Sequence, residues 1–179
     1  MKRYILIVRN KGYRPVDRAK LLEEARASGK VVVDVRIGTE HVEFDVLSDS
    51  PPVVEGFEVL ELVDLSTRNV QDSTKALEEA VKLFDAERFW ESHETLEPVW
   101  RTSSNIDRKL FHGLILTAAA FVHLQKGDEK GFESILRRAK AEFNVDVKRW
   151  MGFDIGKVLK NLNESLRHRK PFKLSSCRV

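Results

Sequence analysis

Residues Phe84–Trp100, FDAERFWESHETLEPVW, hold the side chains of this chain that are best placed to do chemistry: His93, with Glu94 beside it and Glu97 one helical turn on. An imidazole and two carboxylates can hold a divalent ion, pass a proton, or tie one another together by hydrogen bonds. If the segment is one helix, Phe89, His93, Leu96 and Trp100 share a face, so the imidazole points toward the interior. A carboxylate near that face must be paired, protonated or bound to metal. The zincin pattern H-E-x-x-H is absent because Glu97 stands where its second histidine would be. A zinc ion with three protein ligands therefore needs a third ligand from elsewhere, such as His112 or His123, and those two lie eleven residues apart. That is about 16 Å along a helix, so at most one of them reaches the ion. The di-iron bundle pattern, with two E-x-x-H elements, is not present either.

The catalytic candidates are thus His93, Glu94 and Glu97, with His93 and Glu97 as candidate metal ligands and Trp90, Trp100, His112 and His123 as a candidate ligand pocket. The competing reading for His93 is a core histidine hydrogen-bonded to a carboxylate or carbonyl, and for the tryptophans, packing anchors. No dinucleotide fingerprint, P-loop or nucleophile elbow occurs, and Cys177 has no base near it in sequence. A metal-dependent hydrolase lacks a complete motif, so whether the chain is an enzyme stays open. The implied cofactor, if there is one, is a divalent metal ion.

The elements that must position these residues fall into two parts. Up to residue 68 the sequence predicts a small α+β sheet domain. Tyr4–Val8, Val31–Ile37, His41–Leu47 and Val59–Leu65 are rich in β-branched residues, and Asp17–Ser28 has helical spacing through Leu21, Leu22 and Ala25. In the second and third strands apolar residues alternate with Asp34, Arg36, Glu43 and Asp45, which predicts one wetter face. Gly38-Thr39 is the expected hairpin turn, and Ser48–Pro52 separates the third strand from the fourth. From residue 69 to 179 the period is helical, and about five stripes predict an all-α bundle. They are Leu77/Val81/Phe84, Phe89–Trp100, Ile106–Gln125, Phe132/Leu136/Ala139/Phe143 and Ile155/Leu159/Leu162/Leu166. Leu110–Leu124 is apolar on nearly every side and reads as the central helix, with Gly113 and Ala118–Ala120 allowing close approach. Pro98 predicts a kink beside the candidate site, and Asp128 and Asp154 read as helix N-caps.

The runs F-x-x-x-H-E-x-x-E-x-x-W (Phe89, His93, Glu94, Glu97, Trp100) and G-L-I-x-x-A-A-A-x-x-H (Gly113, Leu114, Ile115, Ala118, Ala119, Ala120, His123) resemble the domain family of unknown function numbered 309, small helical proteins of bacteria and archaea. The resemblance covers roughly residues 75–170, most closely 75–140, and implies a helical bundle without a known reaction. It departs at His112, where members often carry Gln, and at Pro98. The sheet domain lies outside it.

Composition bounds the rest. Of 179 residues 42% are hydrophobic and 33% charged, a globular balance, and one cysteine with no intrachain partner gives cytoplasmic residence as the default. No apolar run reaches the roughly 18 residues of a membrane span, so no membrane partner is expected. The net charge of +3 is concentrated near the C-terminus, where Arg167, Arg169 and Lys170 form a basic patch. Such a patch suits a phosphate backbone, but it equally suits a helix C-terminus, where cations offset the macrodipole; without a nucleic-acid module the second reading is favoured. The partners left open are a small-molecule ligand and a second copy of the chain. The functional expectation is a bundle whose His/Glu pocket binds a small ligand or metal ion. Its alternative is an interaction or assembly module, with nucleic-acid binding at the basic end ranked lower.

Overall fold

The computed structural model describes residues 1–67 and 72–179. The chain divides into two compact units, Met1–Asn69 with Gln125–Gly127, and Val70–Leu124 with Asp128–Val179. The expected domain boundary between residues 68 and 69 lies outside the described residues.

The first unit is an α+β sheet. Strands β1 (Lys2–Arg9), β2 (Val31–Ile37), β3 (His41–Ser48) and β4 (Val59–Asp64) form one antiparallel sheet in the order β2-β3-β1-β4, and helix α1 (Arg18–Ala27) connects β1 to β2. The expected hairpin turn is present, with the Gly38 amide donating to the His41 carbonyl at 2.9 Å. Period-two alternation sends Leu6, Val8, Val42, Phe44 and Val46 to one face, where they pack with Leu21 and Ala25 of α1 in a single apolar cluster. At roughly 25 cal/mol per Å² of apolar surface, burial of these side chains is the main stabilising term of the unit. Bulges fall between Ile7 and Val8 opposite β4, and between Val32 and Asp34.

The second unit is the bundle. It consists of α2 (Ser73–Asp85), α3 (Phe89–Thr102), α4 (Asn105–Gln125), α5 (Glu129–Glu142) and α6 (Ile155–His168), with a two-residue hairpin of β5 (Arg149–Trp150) and β6 (Phe153–Asp154) before α6. The helix starts follow the sequence. Asp72 accepts from the amides of Thr74 and Lys75, Asp128 from Gly131, and Asp154 from Lys157. α4 is the central helix, with Leu110, Phe111, Leu114, Ile115, Ala118, Ala120 and Phe121 all buried. Its Gly113 is there for space: a Cβ would stand 2.8 Å from the Phe143 ring. α3 runs through Pro98. The hairpin escapes a sequence reading because its strands are only two residues long, too short for a periodic signal.

Candidate functional site

On α3 the buried face keeps Phe89 and Leu96 but takes in Glu91, Ser92 and Val99 where the spacing of aromatic and aliphatic residues predicts His93 and Trp100. Phe89, Ser92, Leu96 and Val99 are buried, and Glu91 is 2% exposed. The His93 side chain is 26% exposed and Glu97 31%, so both stand at the rim of the helix rather than in the core. The reason is chemical satisfaction. Ser92 Oγ donates to the Ala80 carbonyl at 2.8 Å, and Arg88 binds Glu91 through both carboxylate oxygens, Nε at 2.7 Å and Nη2 at 2.9 Å. These inward polar groups have local partners and are therefore tolerated inside.

The candidate residues are brought together in pairs. His93 Nδ1 lies 3.2 Å from Glu94 Oε1. Glu97 Oε1 accepts from Arg101 at 3.1 Å. The Trp100 ring stacks on His112, with centroids 5.0 Å apart and planes 15° from parallel, and the Arg108 guanidinium lies 4.8 Å from the ring centre. Much of its π surface is thus engaged. His112 Nδ1 lies 3.1 Å from Glu142 of α5. His123 is held elsewhere, its Nδ1 2.7 Å from Asp128, the N-cap of α5. Gly131 makes room for that pair, since a Cβ there would collide with both the His123 ring and the Asp128 carboxylate. Trp90 is half-buried on the first turn of α3. Each of the three histidines thus has Nδ1 against a carboxylate, which fixes the ring and leaves Nε2 as the acceptor in the neutral form. Among the described residues no group of three or more histidine, cysteine or acidic side chains converges as a metal site.

The sheet unit holds a charged cluster on the face that the alternation of residues predicts to be the wetter one. Arg36 is 1% exposed, and Glu43 and Asp45 are 0%. Arg36 Nε donates to Glu43 Oε2 at 2.6 Å and Nη1 to Asp45 Oδ2 at 3.3 Å. Arg3 grips Asp45 with Nε at 2.8 Å and Nη2 at 2.7 Å, and His41 Nε2 lies 3.3 Å from Glu43 Oε1. Asp34 is bound by Arg18 Nη2 at 2.6 Å, with Lys126 Nζ 2.9 Å away. Burial by itself pushes the Glu43 carboxyl up, but Arg36 and His41 hold it below its usual value. Burial also opposes the charge on Arg36, and Glu43, Asp45 and Asp34 outweigh it, so Arg36 titrates above its usual value. The available signal was the pairing of alternate acids on β3 with Arg36 one strand away. Period two fixed the shared face but could not say that it is buried.

At the C-terminus α6 ends at His168, and Arg169 takes the left-handed cap conformation at φ 50°. Its guanidinium reaches Glu129 at 3.2 Å and Glu133 at 3.0 Å. The following chain is pinned by Asp85, whose backbone carbonyl accepts from Lys173 Nζ and whose side chain accepts from the Leu174 amide. Cys177 is buried, and burial pushes its thiol up despite Asn161 at 3.2 Å, so it is a poor nucleophile.

Fold and side chains together define an α+β sheet unit joined in sequence to a five-helix bundle whose histidines are each oriented by a carboxylate. The family model described as "Domain of unknown function (DUF309)" matches residues 77–135, and that segment of the bundle belongs to the family. A solved structure, that of a conserved hypothetical protein from Thermus thermophilus, is 33% identical to it; the match covers 55% of this chain and 99% of that one, with a TM-score of 0.46. No curated protein matches the chain. No helix among the described residues is long and apolar enough to cross a membrane.

Proposed function

We propose that the bundle binds a divalent metal ion through His93 Nε2 and Glu97, with water or a small ligand completing the coordination. The observation that carries this reading is the His93–Glu94 pair. With Nδ1 against a carboxylate at 3.2 Å, the neutral ring presents its lone pair at Nε2, the arrangement found where histidines ligate metals. His93 is 26% exposed, so a metal can reach it, and Glu97 follows at i+4 on the same rim. Two protein ligands make a weak, open site. Arg101 competes for Glu97, so binding strengthens when that arginine is removed.

The test is elemental analysis and calorimetric titration with Zn²⁺ and Co²⁺. One equivalent should bind wild type, and none His93→Ala, at unchanged circular dichroism. Equal metal content in wild type and His93→Ala ends the reading. A second reading, an assembly module whose polar groups only lock the helices, is supported by the extent to which Trp100 is already covered by His112 and Arg108. It predicts no metal uptake and no loss of a partner on replacing His93.

A further inference from the structure

The charges of α5 are sorted by face. Phe132, Leu136 and Ala139 turn inward, followed by Phe143 at the C-cap. At 3.6 residues per turn, Lys130, Ser134, Arg137, Arg138 and Ala141 share an arc of about 100° on the opposite side, and all five are exposed. The three carboxylates of the helix stand outside that arc and are already engaged. Glu129 and Glu133 bind Arg169 at 3.2 and 3.0 Å, and Glu142 lies 3.1 Å from His112. The side chains of Lys130, Arg137, Arg138 and Lys140, the last beside the arc, make no hydrogen bond or ion pair among the described residues. Four cations without counter-charge thus lie along about 15 Å of one helix.

We propose that this face of α5 binds the phosphate backbone of duplex nucleic acid, without regard to base sequence. The charge selects a polyanion, and the residues between the cations select which one. Only Ser134 and Ala141 separate them in the arc. A helix that lies on a membrane turns large apolar side chains outward, and a protein interface needs an aromatic or aliphatic anchor. Single strands are held by stacking their bases on aromatic rings. The arc offers none of these. A duplex requires none of them: it carries a charge about every 1.7 Å, and cations that neutralise its phosphates gain affinity by releasing counterions. The small side chains at 134 and 141 let the helix approach a strand closely, and the Ser134 hydroxyl can donate to a phosphate oxygen. Arg137 and Arg138 add planar guanidinium groups that bind phosphate through two nitrogens at once.

Fluorescence anisotropy of the full chain with a labelled duplex of about 20 base pairs should show binding at about 50 mM salt that weakens roughly a hundredfold by about 200 mM, because four phosphate contacts give a slope of about −3.6 in log affinity against log salt. Arg137→Ala/Arg138→Ala should bring that slope to about −1.8 and weaken binding at low salt at least about tenfold. Lys20→Ala/Lys82→Ala removes the same charge from exposed positions on α1 and α2 and should change neither. A single strand of the same length should bind more weakly than the duplex, and vesicles of phosphatidylserine and phosphatidylcholine should not bind. Circular dichroism checks that each variant is folded. No binding at low salt, equal losses in the two double variants, tighter binding to the single strand, or capture by the vesicles overturns the proposal.

Discussion

The charged face of the sheet and the histidine rim of α3 use the same residue types to opposite ends. In the sheet, Arg36, Glu43 and Asp45 are withdrawn from water and compensate one another through short contacts. On the bundle, His93, Glu94 and Glu97 are paired at similar distances but stay about a quarter to a third exposed. Withdrawal from water makes each sheet charge expensive unless its partner is in place, so the cluster acts as a scaffold that tolerates little change. Access to water makes each bundle contact worth little in stability and leaves its groups available to a ligand. A polar cluster's role follows from its burial more than from its composition.

The largest effect should come from removing one buried partner. Arg36→Met should cost about 3–5 kcal/mol in urea denaturation, because Glu43 loses its main counter-charge and Asp45 one of two. The double variant Arg36→Met/Glu43→Leu should recover much of that loss, since the remaining Asp45 keeps its two bonds to Arg3. A single variant as stable as wild type would show that the cluster does not act as a scaffold.

Acid should act on the same cluster. Glu43 and Asp34 titrate below their usual values in the folded protein, Asp34 because Arg18 and Lys126 outweigh the upward push of burial. Their contribution is therefore complete above the unfolded carboxylate range of about 4 and is lost as the pH falls through the lower folded values. Thermal unfolding followed from pH 6 down to about 2 should show this acid limb, and Arg36→Met should move it to higher pH.

An intermediate effect is expected from Glu91, the bundle's own buried carboxylate. Glu91→Ala removes both bonds to Arg88, whose side chain is 17% exposed and can recover water. The cost should be about 1.5–3 kcal/mol, between the sheet cluster and the rim. The smallest effects belong to the exposed groups. His93→Ala should change stability by less than about 1 kcal/mol while abolishing metal uptake, and Arg169→Ala should cost roughly 0.3–1 kcal/mol through Glu129, Glu133 and the α6 terminus. Chemical denaturation of the two variants alongside Glu91→Ala measures that ranking.

Much of the architecture was legible in the chain itself. The four strands of the sheet and α1, the five helices, the central place of α4, the need for Gly113 and the caps at Asp128 and Asp154 all follow from local rules. A strand repeats every two residues, a helix every 3.6, and a cap is a hydrogen bond to an amide two or three residues away. Those rules act over a few residues, and the sequence supplies them in full. It was the tertiary structure that decided which face of each element is buried. Periodicity placed His93 with Phe89 and Leu96 toward the core, yet Ser92 and Glu91 went inside, because Ala80 and Arg88 were there to satisfy them. It marked Glu43 and Asp45 as a wet face, yet they are dry, because Arg3, Arg36 and His41 converge on them from β1, β2 and β3 itself. The cost of burying a polar group depends on partners distant in sequence, and only the folded chain brings those partners within bonding distance.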